Sequence, residues 1–194
     1  HWLVFLHGDH VVPCTLLDAV ADNVTYGHRF HHPGAITLYN AEDYAEVLES
    51  LGKVIADFDR RKACIREHVE RAATALGGTA DLDDKLLDEV TALNEWPRPI
   101  TGTFDEGFLE VPHEALVATM KTNQKYFPVF AKDGRLMNHF ITIANVESMD
   151  PEIIRAGNER VVRPRLADAK FFWEQDLDHP LACRGIRAGL IHHS

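Results

Sequence analysis

Arg160, Arg163, Arg165 and Lys170 crowd into one short stretch, Asn158-Glu-Arg-Val-Val-Arg-Pro-Arg-Leu-Ala-Asp-Ala-Lys-Phe-Phe-Trp, of an otherwise acidic chain. Guanidinium is the side chain suited to phosphate, because its planar fork donates two parallel hydrogen bonds. The alternative chemistry is internal: the same forks fit carboxylates, and Glu159 and Asp168 lie beside them as salt-bridge partners. A third reading is a solvated basic turn leading into an amphipathic helix.

A second basic group precedes it. Lys121 and Lys125 stand four apart near an expected helix end, a spacing that sends both to one side. Tyr126 and Phe127 follow. They could stack on a base or sugar, although an alternating Tyr-Phe-Pro-Val-Phe run more often packs a core. Farther upstream, Gly27-His28-Arg29-Phe30 reads as a tight strand entry, with Arg29 expected on a buried carboxylate. The other chemistries are poorly supported. The 12 histidines include two groups, His7/His10 with Asp9 and His28/His31/His32. Strand spacing scatters them over opposite faces, so no metal site is expected. Gly-x-Ser-x-Gly is missing, and Gly77-Gly78 lacks a following Lys-Ser/Thr. No catalytic residue is therefore assigned.

The elements that must position these residues follow from periodicity. Trp2–Leu6 and Val11–Leu16 flank a Gly8-Asp9 turn as a hairpin. Tyr26–Phe30 and Ala35–Leu38 are strand-like. Helices are expected over 41–51 with Asn40 as N-cap, over 57–76, and over 81–94 with Leu82, Leu86, Leu87, Val90 and Leu93 inward. Strands return at Ile100–Phe104 and Leu109–Val111, a helix at 112–122, and a hairpin around Asp133-Gly134. Helix 152–158 should stop before Pro164, which starts another helix carrying Leu166, Ala169, Phe172 and Trp173. This is an α/β (α+β) chain of mixed and antiparallel sheets with packed helices. The expected division is a β-rich core of 1–40 and 96–176, a helical insertion at 41–95, and a divergent tail at 177–194.

At 194 residues the chain can bury a real core. Charge is uneven: residues 1–110 carry 9 basic and 20 acidic side chains, whereas 111–170 carry 9 and 7. The formal net charge of −10 argues against nonspecific nucleic-acid binding but leaves room for a local basic face. No apolar run approaches the roughly 20 residues of a membrane span. Three dispersed cysteines suit a reducing cytoplasm. The chain opens at His1 inside a strand-like run, as expected of a piece of a longer protein.

Gly27-His-Arg-Phe, Met120-Lys-Thr-Asn-Gln-Lys-Tyr-Phe-Pro-Val, Asn145-Val-Glu-Ser and Gly157-Asn-Glu-Arg-Val-Val-Arg-Pro-Arg-Leu-Ala-Asp-Ala occur in an order and spacing that resemble the β subunit of bacterial two-subunit glycyl-tRNA synthetase. The resemblance runs from about Trp2 to about Asp176. It implies part of a cytoplasmic heterotetrameric ligase that joins glycine to tRNA(Gly) with ATP. ATP and Mg would be held by the α subunit, with no cofactor in this chain, which alone should not activate glycine. The expected partners are the α subunit, tRNA(Gly) and the rest of the β chain. The RNA-binding candidates are Lys121, Lys125, Arg160, Arg163, Arg165 and Lys170, and His28-Arg29 is a candidate structural motif. The alternative is a purely structural domain that docks the α subunit without touching RNA. The resemblance also implies the fold of the editing domain of the phenylalanyl-tRNA synthetase β subunit, with no editing activity implied.

Overall fold

The computed structural model describes residues 1–178. In chain order the strands and helices are β1 (Leu3–Val4), β2 (Leu6–His7), β3 (His10–Val11), β4 (Thr15–Leu16), β5 (Ala19–Asp22), β6 (Val24–Tyr26), β7 (Ala35–Thr37), α1 (Tyr44–Ser50), α2 (Phe58–Ala75), β8 (Thr79–Ala80), α3 (Asp84–Leu93), β9 (Arg98–Thr103), α4 (His113–Thr119), β10 (Phe127–Phe130), β11 (Leu136–Ala144) and α5 (Pro151–Asp178). These residues form a mixed α/β fold of small, mainly antiparallel sheets and five α-helices. They divide into two compact units. The first comprises His1–Arg71, Leu82–Ile100 and Ile143–Pro151; the second comprises Ala72–Asp81, Thr101–Thr142 and, among the described residues, 152–178.

The first unit begins with short strands. β2 and β3 pair antiparallel about Gly8, whose φ of +60° suits a residue without Cβ. The expected long hairpin is instead split: β4 pairs with β5, and β1 joins β5 in parallel. β6 and β7 pair antiparallel, but β6 ends at Tyr26 and the expected strand through Phe30 does not form. Buried His28 ends it, because its Nδ1 accepts the backbone N–H groups of Phe30 and His31 and its carbonyl accepts that of His32. Asn40 caps the 3-10 turn Ala41–Asp43 that leads into α1. Ile65 and Val69 of α2 are buried, as are Leu86, Leu87 and Val90 of α3. Lys62 and Arg66 of α2 reach Asp88 and Asp84 of α3 at 2.6 and 2.9 Å. Asp83 caps α3 through the N–H of Leu86. Leu93 faces solvent, contrary to its expected place, because it lies in the last turn, where the buried stripe has already ended at Val90 and Thr91.

The second unit is built on a sheet of order β8–β10–β11–β9. Strand β8 falls between the expected helices 57–76 and 81–94, inside the expected helical insertion at 41–95, where no strand was foreseen. The β10–β11 hairpin turns at Gly134, with φ +83°. The expected strand at Leu109–Val111 is a 3-10 turn, Glu106–Glu110, begun by Asp105 accepting the N–H of Gly107. α4 runs on into a π-turn, Met120–Gln124, which closes at Lys125 in the left-handed conformation, φ +59°. The core gathers Phe104, Val111, Leu116, Met120, Tyr126, Phe140, Val162 and Leu166, with Trp173 at its edge.

Helix α5 contradicts the expected break. Pro164 sits inside one continuous helix. Proline removes one backbone donor, leaving the carbonyl of Arg160 without its helical partner. That loss falls on the exposed side, while Val162 and Leu166 are fully buried on either side of it. Burying those two side chains is worth about 1.5–3 kcal/mol each, about 3–6 kcal/mol together, enough to offset a proline cost of about 3 kcal/mol.

Candidate nucleic-acid interface

The rotation of α5 about its axis decides what its arginines can reach, and three polar contacts fix that rotation alongside the apolar face. Asn158 Oδ1 accepts the Tyr126 hydroxyl at 2.7 Å, and its amide donates to the Ile154 carbonyl. Glu159 Oε1 accepts both the N–H and the hydroxyl of Thr103, at 2.9 and 3.0 Å. Lys170 Nζ reaches Glu110 at 3.0 Å and the Gly107 carbonyl at 3.3 Å.

With the helix so fixed, Arg160, Arg163 and Arg165 are all exposed. Among the described residues none of the three has an ion pair with a carboxylate. Glu159, one turn before Arg163, is the natural neutraliser, but its carboxylate is turned to Thr103. The arginines do not make one clamp, however. At about 100° per residue, Arg160 and Arg163 lie within roughly 60° of each other, whereas Arg165 points roughly 160° from Arg163. Residues two apart on a helix do not face each other. The expected single cluster is therefore two sites: an Arg160/Arg163 flank and a separate Arg165.

The lysines are differently placed. Lys121 pairs with Asp81 at 2.8 Å, and Lys170 with Glu110, whose hydrogen bond, and then its charge, raises the Lys170 pKa. Lys125 ends the π-turn, and its N–H donates to the Met120 carbonyl. Tyr126 and Phe127 are buried, so neither is available to stack on a base. Tyr126 instead stacks on Phe140, with centroids 4.5 Å apart, and burial pushes its hydroxyl up to about 12.

His28 and Arg29 serve other ends. His28 Nε2 lies 2.7 Å from the carbonyl of Asn145. A carbonyl only accepts and a backbone N–H only donates, so the proton is on Nε2 and Nδ1 is the acceptor. Asn145 also takes the N–H groups of Glu95 and Trp96 on its Oδ1, at 2.7 and 2.9 Å. His31 Nε2 accepts the N–H of Glu147, whose carboxylate holds Arg98 and the Trp96 indole and is pushed down chiefly by Arg98. Three separate stretches thus meet in one polar junction. The sequence reading missed Asn145 as its centre, although Asn145-Val-Glu-Ser was among the stretches that stood out. Arg29 does not find a buried carboxylate; it is exposed and lies over the Phe30 ring at 5.2 Å, because the turn after His28 carries it outward.

Among the described residues no group of three His, Cys, Asp or Glu side chains converges as a metal site. No helix among them is long and apolar enough to cross a membrane.

The sequence pattern of the family described as glycyl-tRNA synthetase beta subunit matches residues 1–187. A glycine–tRNA ligase beta subunit of Hahella chejuensis is 50% identical over 184 residues, covering 95% of this chain and 27% of that protein. Those of Citrobacter koseri and Acinetobacter baumannii are 52% and 51% identical, covering 91% and 94% of this chain and 26% of each relative. The chain thus spans about a quarter of the length of these relatives (27% in the first). A match over nearly the whole chain, through every motif that carried the resemblance, places it in the glycyl-tRNA synthetase β-subunit family.

Proposed function

We propose that this region is the part of a glycyl-tRNA synthetase β subunit that lays the Arg160/Arg163 flank of α5 against tRNA phosphates. The enzyme it serves joins glycine to tRNA(Gly) with ATP in the cytoplasm. The α subunit holds ATP and Mg, α and β assemble as a heterotetramer, and this chain alone does not activate glycine. One observation carries the reading: in a chain with 30 acidic and 20 basic side chains, three neighbouring arginines are exposed without a carboxylate partner among the described residues. Free guanidinium forks beside one another suit phosphate oxygens. Arg165 would touch a different phosphate, if any, and Lys121 and Lys170 contribute less because each already holds a carboxylate. Lys125, half-buried at the end of the π-turn, remains a candidate. The likeness to the phenylalanyl editing-domain fold, with 41–95 inserted in a core of 1–40 and 96–176, rests on the sequence resemblance; superposition on that domain is its test.

The experiment is tRNA binding by the full α/β enzyme across a salt series. Arg160→Ala and Arg163→Ala should each lower the slope of log affinity against log salt by a little under about 1 per lost phosphate contact. Folding should barely change, since exposed charges contribute little to stability. An unchanged slope in both variants, with normal folding, would remove the RNA reading. The runner-up is a structural role without RNA contact, favoured by the apolar side chains on the neighbouring flank of α5.

A further inference from the structure

On the side away from its core, helix α5 carries exposed apolar side chains directly beside Arg160. Ile153, Val161, Pro164, Phe171 and Phe172 lie on the outer side, with Ile153 70%, Phe171 57% and Phe172 66% exposed. By angle, Ile153, Pro164 and Phe171 form nearly one line along the helix, with Val161 and Phe172 roughly 60–100° to one side. Gly157 stands in the same sector with nothing within 4 Å of a built Cβ, so a partner backbone could approach closely there. The stripe spans about five turns from Ile153 to Phe172. Phe172 is exposed, whereas its neighbour Trp173 packs against the core. A helix with apolar faces on two sides is a helix meant to be covered on both.

We infer that this outer face of α5 is the packing surface for another part of the same β polypeptide, outside these residues. Two observations select that occupant over a separate subunit or RNA. The relatives are nearly four times as long as the matched region, since the chain covers 27% of the first and 26% of the others, so most of the polypeptide able to cover the face is tethered to it. Tethering supplies a high effective concentration, so this contact does not depend on subunit concentration. Between Arg160 on one edge and Arg165 on the other, the face is largely apolar, with Asp168 beside Pro164 and Phe171, a composition that desolvates readily against a protein and poorly against phosphates. The covering segment should therefore present an apolar stripe with an acidic edge where it meets Arg165, leaving the Arg160/Arg163 flank open.

The test uses the full-length β subunit, without α subunit or tRNA, at a concentration where it is monomeric. Val161→Cys and Phe172→Cys are labelled with a maleimide, with Lys132→Cys at the exposed β10–β11 turn as reference, and modification is read peptide by peptide so that native cysteines do not interfere. Labelling of both flank cysteines at least about ten-fold slower than the reference is the expected result. Hydroxyl-radical footprinting of the unsubstituted subunit should show matching protection of Phe171 and Phe172, and this measurement stands even where a cysteine variant does not fold. Labelling and footprinting at the reference rate in β alone would overturn the inference. Protection that arises only on adding α subunit, only on adding tRNA, or only at concentrations where β self-associates would overturn it equally, by naming a different occupant. None of these readings depends on the salt slope that tests the RNA proposal.

Discussion

Gly102 and Gly157 make a paired test of how the second unit is packed. A Cβ built at Gly102 would lie 2.2 Å from Cζ of Phe140 and 2.8 Å from both Cε atoms. Ordinary carbon–carbon contact is about 3.5–4.0 Å, so the ring must retreat by more than about 1 Å. Phe140 is fully buried and stacked 4.5 Å from Tyr126, whose hydroxyl is tied to Asn158, so its retreat pushes on α5. Overpacking of this kind costs about 1–3 kcal/mol, and the locked stack places Gly102→Ala at the top, about 3 kcal/mol. Gly157 is the opposite case: it is helical and exposed, with open space around it. Gly157→Ala should stabilise by about 0.5–1 kcal/mol through helix propensity and a less free unfolded chain. Urea unfolding followed by tryptophan fluorescence reads both, with Trp173 beside the affected core. A Gly102→Ala variant at least as stable as the parent would show that Phe140 can move, and would refute the stacked core as the brace of α5.

Further outcomes follow from the same contacts. Val69→Asp on α2 should cost about 3 kcal/mol or more by placing a charge in the core, whereas Glu67→Gln, which loosens only an exposed pair with Arg71, should shift stability by under about 0.5 kcal/mol; thermal melts in the reverse order would mean the buried face is misassigned. Tyr126 has a folded pKa raised to about 12 from about 10, so its contribution is fully present below pH 10 and is lost as pH rises from 10 through 12. Tyr126→Phe should flatten that alkaline loss in pH-dependent melts, and an undiminished loss would assign it to other groups. Asn145→Ala should destabilise the first unit by about 2–3 kcal/mol, because the N–H groups of Glu95 and Trp96 lose their acceptor; Asn145→Asp should recover part of that, and equal losses in both would place the effect elsewhere.

How much of this was legible beforehand depended on the range of the cause. Helices α2 and α3 and the β10–β11 hairpin follow from local periodicity, a cap at Asp83 and a Gly134 turn, all within a few residues. The N-terminal strands were harder, because the partner of β1 is β5, and no local pattern announces a parallel pair of two residues. His28 ends β6 with its own ring, a contact that propensity does not contain. The lysines of the basic candidates were misleading for a similar reason: Asp81 is 40 residues before its partner Lys121, and Glu110 is 60 before Lys170. Pro164 misled in another way, since its usual effect is local and the burial that overrides it is tertiary.

The arginines sharpen the point, because their chemistry was visible while their environment was not. Spacing alone offered Glu159 to Arg163 and Asp168 to Arg165 as i,i+4 and i,i+3 partners. Folding spends Glu159 on Thr103 instead, where it accepts two hydrogen bonds and anchors the helix rotation. That single diversion has two effects: it turns the Val162/Leu166 face inward, and it leaves Arg163 without its local counter-charge. Thr103→Ala in the full enzyme separates them. If Glu159 then swings back to Arg163, tRNA affinity should weaken and its salt slope fall by a little under about 1, as for Arg163→Ala, while the core variants above leave the slope alone. A Thr103→Ala enzyme that keeps its slope would mean that the Thr103 N–H, which the substitution leaves in place, is enough to hold Glu159 away from Arg163, and that the hydroxyl has no part in freeing the guanidinium.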